Sequence, residues 1–115
     1  MIIAGFGFRK GARLTSFHAA LALIPTPEAL ATADGKAPDL APLAQALNLP
    51  LIALTSDQIA RHPRPGSARV TALYATGSLA ESAALAAAGP GAILTHPRQT
   101  TPDGQVVVAI AESPP

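Results

Sequence analysis

The chain has 115 residues, a formal net charge of +1, no cysteine and 49% hydrophobic residues. This length fits one domain with a hydrophobic core, so we predict a single domain over residues 1–115. The small net charge and the aromatic content of 3% argue against nucleic-acid binding, which uses strongly basic surfaces and rings that stack on bases. The absence of cysteine excludes disulfides and thiolate chemistry.

Neither a membrane nor a metal ion is an expected partner. The longest apolar helical stretch, residues 17–24, is too short to cross a bilayer, and Met1–Ile3 begins a strand-like run with no signal segment before it. The three histidines, His18, His62 and His96, lie on separate predicted elements and lack the spacing of metal ligands. We therefore expect a cytoplasmic protein without a metal or another cofactor.

Strand-like and helix-like segments alternate along the chain. In chain order we predict a strand over 2–7, a helix over 15–24 capped by Thr15, a short strand over 28–32, a helix over 38–47, a strand over 51–54, a short helix from Thr55 to about His62, an alanine-rich helix over 78–88, and strands over 92–95 and 105–111. Residues 70–74 fit a strand or a helix equally well. The Pro102-Asp-Gly104 turn favours antiparallel pairing of the last two strands.

This alternation predicts an α/β domain with three layers, α/β/α. We expect a mixed, mainly parallel sheet of about five strands with one antiparallel hairpin at its C-terminal end.

The first candidate site is the glycine-rich turn after the first strand. Glycines let backbone N–H groups approach a ligand, and the following helix start adds partial positive charge, so the segment is typical of an anion site. The glycines could equally serve only to make a tight turn, and their spacing differs by one residue from a dinucleotide fingerprint. The candidate ligand-binding residues here are Gly5, Gly7, Phe8, Arg9, Lys10 and Gly11.

Two more turns could join this site. Thr76, Gly77 and Ser78 precede a helix whose free N–H groups could receive a carboxylate, although Ser78 and Glu81 could instead only cap that helix. Asp34 and Lys36 lie on a turn after a predicted strand. This turn could simply be solvated, or Lys36 could contact an anion while Asp34 acts as a proton acceptor. In a parallel sheet, turns at the carboxyl ends of strands meet at one edge, where such folds bind ligands.

A second basic group follows the short middle helix. It has no acid among its members and is either a solvated loop or a second patch for a polyanionic ligand. Its members are Arg61, His62, Arg64 and Arg69.

Several blocks, in this order, resemble the CobE/CbiG C-terminal domain family of cobalamin biosynthesis. They cover nearly the whole chain: the glycine turn over 5–11, the lysine turn over 32–36 with the segment 38–50, the Thr-Gly-Ser-Leu-Ala-Glu block over 76–85, and the closing run over 105–111. The chain is similar to the stand-alone form of that domain. The resemblance implies a three-layer α/β domain that acts in construction of the corrin ring.

We consider three functional hypotheses, of which the first two follow from what the resemblance implies. In the first, the protein binds or hands on a precorrin or another corrinoid intermediate, with other enzymes of the pathway as possible partners. The carboxylates of this ligand would meet the basic turns, and the apolar face of the ligand would meet Phe6, Phe8 or Leu79. In the second, it opens a precorrin-5A-type lactone, with Asp34 or Glu81 as general base and Arg9 or Lys36 stabilising the oxyanion. The third, a nucleotide-binding module, depends only on the spaced glycines.

Overall fold

The computed structural model describes residues 1–74 and 76–114. Its strands are β1 (Ile2–Phe8), β2 (Ala29–Ala33), β3 (Leu51–Leu54), β4 (Ile93–Thr100) and β5 (Val106–Glu112). Its helices are α1 (Leu14–Leu21), α2 (Ala37–Leu47), α3 (Ser56–Ala60), α4 (Ala68–Tyr74) and α5 (Leu79–Ala88). Among the helices of the described residues, none combines the length and the hydropathy needed to span a bilayer.

The five strands form one mixed sheet in the order β3-β2-β1-β5-β4. β1, β2 and β3 are parallel to one another, and β5 is antiparallel to both β1 and β4. Four strands therefore point the same way, and only β5 runs against them. The predicted mixed, mainly parallel sheet with an antiparallel hairpin at its C-terminal end is confirmed.

Helices cover both faces of the sheet, which confirms the three-layer prediction. Alternate residues of β1 supply the two cores, because successive side chains of a strand point to opposite faces. Phe6 packs on one face with residues of α1 and α2, such as Phe17 and Leu40. Ile3 packs on the other face with residues of α3 and α5, such as Ile59.

Start and stop signals in the sequence fix several helix ends. Thr55 forms both hydrogen bonds of a capping box with Gln58 at the start of α3. Asn48, with φ of 55°, caps the C-terminus of α2, and asparagine tolerates this left-handed conformation better than most residues. Gly89 ends α5. Residues 70–74, which the sequence left open, belong to helix α4.

The predicted cap of the first helix is wrong. α1 begins at Leu14, with Arg13 as its N-cap, because the Arg13 carbonyl already accepts hydrogen bonds from the N–H groups of Ser16 and Phe17. The helix also ends at Leu21 and not at residue 24. Residues 23 and 24 continue in tighter turns whose N–H groups bond three residues back.

The closest contact between layers is that of α5 with β1. A Cβ atom on Gly5 would overlap the Ala80 carbonyl oxygen and lie 2.9 Å from Ala84 Cβ. Only a residue without a side chain lets the helix backbone come this near the strand. Two residues along, Gly7 faces the start of α5 at Leu79. The two glycines therefore place the N-terminus of α5 over the carboxyl end of β1.

We predict that Gly5→Ala lowers the free energy of unfolding by about 1–3 kcal/mol, because the added methyl group must push α5 away from β1. Gly35→Ala is the matched control, since a Cβ atom there meets nothing within 4 Å. Urea denaturation of both variants measures the difference. Equal stability of Gly5→Ala and the wild-type protein would contradict this account of the packing.

Candidate functional site

The turns predicted to meet at one edge of the sheet do so at the carboxyl end of β1. Lys36 follows β2, the strand beside β1, and its Nζ donates a 2.6 Å hydrogen bond to the Phe8 carbonyl oxygen. The β4–β5 turn reaches the same edge, because Phe8 pairs with Val106. The N-terminus of α5 lies there as well, through its contact with Gly7.

A cleft of about 310 Å³ opens at this edge. Strands, turns and two helices contribute to its wall, and its volume lies at the lower end of the range for ligand pockets. A large ligand could therefore insert one edge here while the rest stays outside. The residues that line it are Gly7, Phe8, Arg9, Lys10, Lys36, Ser67, Arg69, Val70, Leu73, Tyr74, Ser78, Leu79, Ala80, Gly104, Gln105 and Val107.

Among the described residues, the charged side chains that line the cleft are all cationic. They are Arg9, Lys10, Lys36 and Arg69, and no aspartate or glutamate of residues 1–74 and 76–114 lines the cleft. Within residues 1–74 and 76–114, ion pairs at 4.0 Å or less join only Arg64 and Arg98 to Glu81. The cleft cations thus lack a carboxylate partner in the described part of the chain. Clefts lined by one sign of charge concentrate ligands of the opposite sign.

Lys36 is the most constrained of these cations. Besides its bond to the Phe8 carbonyl, its Nζ lies 4.8 Å from the centre of the Phe8 ring, within the range of a cation–π contact. Burial lowers the pKa of Lys36 from its ordinary value of 10.5; the Asp39 carboxylate opposes this shift and the Arg69 guanidinium adds to it. In the free protein, the nearby Asp39 carboxylate therefore does not fully offset the cost of burying the positive charge of Lys36.

Asp103 ties the β4–β5 turn, which lines the cleft at Gly104 and Gln105, to helix α1. Its carboxylate accepts hydrogen bonds from the hydroxyls of Ser16 and Thr101 and from the backbone N–H of Gln105. These bonds, that of Ser16 first, lower the pKa of Asp103. The Gln105 carbonyl in turn accepts a 3.0 Å bond from the Arg9 N–H, so this turn fixes the backbone of the glycine-rich segment.

A second cleft, of about 330 Å³, lies on the side of the glycine turn that faces α1. Lys10 borders both clefts, whereas Gly11, a predicted ligand contact, borders only this second one. Its lining residues are Phe8, Lys10, Gly11, Ala12, Phe17 and Asp39. Asp39 and Lys10 carry opposite charges, so this second cleft lacks the single sign of charge that marks the first.

Several predicted ligand contacts lie outside the charged cleft. Gly5 is in contact with α5, as described above. Thr76 is buried, and its hydroxyl bonds to Ser82 and accepts from the Arg64 N–H. Gly77 accepts a 2.7 Å hydrogen bond from the Ser67 N–H. Of this predicted turn, only Ser78 lines the cleft, and its hydroxyl accepts a bond from the Glu81 N–H.

Glu81 is 2% exposed and does not line the cleft. Its carboxylate accepts bonds from Arg64 Nε at 3.2 Å and from the Arg98 N–H at 3.0 Å. The predicted capping box of α5 is therefore only half formed, because the Glu81 side chain binds these groups and not the backbone of Ser78. Glu81 ties the loop before α4 and strand β4 to α5.

Asp34 is exposed on the turn after β2, next to the cleft but not among its lining residues. Burial, and then the nearby Asp34 carboxylate, raise the pKa of the Tyr74 phenol, so Asp34 lies on the side of the cleft formed by α4. It could act there on a ligand that extends beyond the cleft.

Sequence reasoning missed the contribution of α4 and of the β4–β5 turn. The basic group after α3 was the available signal, but the structure divides it: Arg64 binds Glu81, whereas Arg69 points into the cleft. No pattern in the sequence distinguishes these two arginines, because their roles depend on how the loop and α4 pack on α5. Gln105 joins the cleft only through strand pairing.

We predict that Lys36 titrates below the ordinary range of lysine. The chain has two lysines, so Lys10→Arg leaves Lys36 as the single lysine in an NMR titration of the side-chain methylene next to Nζ. Removing the Arg69 charge with Arg69→Gln should raise the pKa of Lys36. Titration at the ordinary value, unmoved by Arg69→Gln, would contradict the proximity of these two cations.

The lowered pKa of Lys36 also makes the stability of the fold depend on pH. Because the folded-state pKa of Lys36 is lowered, its charge opposes folding while both states are protonated. This penalty should disappear as the pH rises through the folded-state pKa toward that of the unfolded chain.

We predict that Glu81→Ala lowers the free energy of unfolding by about 1.5–3 kcal/mol, because it leaves the Arg98 N–H and the Arg64 guanidinium without their acceptor. Glu112→Ala is the matched control, a partly exposed glutamate at the end of β5. Its effect should stay within about 0.5 kcal/mol. Thermal melts of the two variants compare them, and similar losses would show that Glu81 has no special structural role.

Comparisons with known proteins agree with the fold and with the order of the sequence blocks. The family model described as "Cobalamin synthesis G C-terminus" matches residues 2–111. The chain is 34% identical in sequence to the cobalamin biosynthesis protein chiG from Agrobacterium tumefaciens str. C58, whose crystal structure is known. The two structures align with a TM-score of 0.78, and the alignment covers 100% of both chains. The 1.7 Å crystal structure of CobE, a protein from the cobalamin (vitamin B12) biosynthetic pathway, is 28% identical. That likeness covers 96% of this chain and 92% of CobE, with a TM-score of 0.82.

Among curated proteins, none matches the chain. The family model nevertheless spans nearly all of it, and both solved structures align with it over almost their full length. The chain therefore belongs to the CbiG C-terminal/CobE family of cobalamin biosynthesis proteins.

Proposed function

We propose that this protein binds a precorrin-type intermediate of cobalamin biosynthesis in the cytoplasm, and holds it or hands it on, through the charged cleft at the carboxyl end of β1. The observation that carries the proposal is the set of four cations around a cleft that no acidic side chain lines in the part of the chain that the structure describes. Corrin precursors carry acetate and propionate groups around a flat, apolar ring, so they present several carboxylates to separate cationic groups.

The cleft can bind such carboxylates in two ways. Arg9, Lys10, Lys36 and Arg69 offer charge-assisted hydrogen bonds. Leu79 and Ala80, in the first turn of α5, line the cleft, and the N–H groups of a first turn have no partner inside their helix. Each exposed ion pair stabilises a complex by only about 0.2–1 kcal/mol, so firm binding requires several contacts at once.

Lactone opening has less support from the geometry. The buried Glu81 carboxylate is engaged with Arg64 and Arg98, and the exposed Asp34 carboxylate is not among the lining residues. A nucleotide-binding role has less support too, because Gly5 brings helix α5 against β1 and leaves no space there for a phosphate.

Absorbance titration of the purified protein with hydrogenobyrinic acid, a metal-free corrinoid, tests the proposal. We expect saturable binding at micromolar ligand in low salt, and weaker binding by Lys36→Gln. Arg61→Gln is the matched control, because Arg61 is an exposed cation at the end of α3 that does not line the cleft. Binding should also weaken as the pH rises through the lowered pKa of Lys36.

The absence of a spectral change at micromolar ligand in low salt would overturn the proposed function. Equal losses of affinity in Lys36→Gln and Arg61→Gln would show that only overall charge matters, and would overturn the assignment to this cleft.

A further inference from the structure

Helix α4 is unusual among the helices of the described residues, because none of its own residues is buried. Its sequence, Ala-Arg-Val-Thr-Ala-Leu-Tyr, is nevertheless mostly apolar. Val70 and Tyr74 pack partly against the core between the sheet and α5, whereas Leu73 stays 66% exposed. Single exposed leucines are common on protein surfaces, so its exposure alone means little.

The positions of these side chains relate the exposure of Leu73 to the charged cleft. Val70, Leu73 and Tyr74 share one face of the helix, since residues three and four apart are neighbours on a helix surface. All three line the charged cleft. Phe6, by contrast, is fully buried, and Phe8 and Leu79 are 8% and 4% exposed, so the apolar residues named from the sequence offer a ligand little surface. α4 supplies the exposed apolar wall.

The same helix brings a charge to the cleft. Arg69 lines it together with Lys36, and the Arg69 guanidinium lies near enough to disfavour the Lys36 charge. The Asp39 carboxylate, outside the cleft lining, offsets part of the Lys36 charge. Neither cation forms an ion pair within 4.0 Å in the described part of the chain, so the two still repel each other, and an anion between them removes that repulsion. A ligand carboxylate has the charge and the acceptor oxygens for this place.

We propose that α4 determines the specificity of the cleft. Leu73 packs against the apolar face of a tetrapyrrole, while Arg69 and Lys36 together hold one carboxylate at its rim. This inference rests on the proposed function, and it adds that a ligand needs both an apolar ring and a carboxylate beside it. The occupant is a carboxylated corrin ring, because its chemistry matches an apolar wall next to unpaired positive charge.

Paired variants test the two contacts with hydrogenobyrinic acid as the probe. Arg69→Gln should weaken binding about fivefold at low ionic strength, and less at high salt, because salt screens exposed charges. Leu73→Asn should also weaken binding about fivefold, but to the same degree at both salt concentrations. The matched controls are Arg61→Gln and Leu47→Asn, an exposed arginine and an exposed leucine outside the cleft, which should bind like the wild-type protein.

A second pair of probes separates ring from carboxylate. Dicyanocobinamide, a neutral corrin whose side-chain carboxylates are amidated, should bind the wild-type protein more weakly than hydrogenobyrinic acid does and should be indifferent to Arg69→Gln. Its affinity should still fall in Leu73→Asn. A dicyanocobinamide affinity that falls in Arg69→Gln and not in Leu73→Asn would overturn the assignment of the two roles.

The failures of the two proposals are distinguishable. If the wild-type protein binds hydrogenobyrinic acid and both α4 variants bind like their controls, the role of α4 is overturned and the proposed function stands. If the wild-type protein does not bind, the proposed function fails, and the α4 proposal fails with it. Because α4 buries none of its residues, both variants should melt like the wild-type protein, and the pKa of Lys36 in Arg69→Gln reports separately on the pairing of the two cations.

Discussion

The close packing of α5 on β1 is the constraint on which the rest of the structure depends. Gly5 lets the backbone of α5 at Ala80 contact strand β1. This contact determines where α5 begins relative to the carboxyl end of β1. The helix start then lies beside the glycine turn. Buried Glu81, in the first turn of α5, binds the loop before α4 through Arg64 and strand β4 through Arg98. The contact of α5 with β1 thus determines the position of the walls that α5 and α4 form, whereas Asp103 holds the β4–β5 turn, which in turn fixes the glycine-rich segment.

The cleft combines two features that cost free energy in the absence of a ligand. Its cations have no carboxylate partner among the described residues, and the pKa of Lys36 is lowered by burial in spite of Asp39. Leu73 keeps an apolar side chain in water. Natural proteins retain such features mostly at functional sites, where local rules of stability give way to binding. A carboxylated ligand with an apolar face would relieve both costs at once.

Much of the fold was predictable because the relevant signals are local. Thr55 and Gln58 form their capping box, Asn48 ends α2, and β3 spans the four residues that the apolar run indicated. Thr15 failed as a cap because the Arg13 carbonyl, two residues earlier, accepts the first hydrogen bonds of the helix, so that α1 begins at Leu14. Such shifts of one or two residues depend on tertiary contacts, which a local pattern does not contain.

The site was predictable only in part. The turns at Arg9 and Lys36 come together because parallel strands end at one edge, and this follows from topology. Arg69 belonged to a basic group with two open interpretations, and Leu73 to the segment that fits a strand or a helix. Helix α4 brings both to the cleft, and the pairing of β1 with β5 brings Gln105 there. Likewise, Glu81 had the spacing of a capping residue, and only the folded structure shows Arg64 and Arg98 around it.

A crystal structure of the protein with hydrogenobyrinic acid tests the central claim most directly. The account predicts one edge of the ring at the carboxyl end of β1, with a carboxylate within hydrogen-bond distance of both Lys36 and Arg69 and with Leu73 against the ring. A ring bound in the cleft beside Phe17 and Asp39, or elsewhere on the surface, would contradict it.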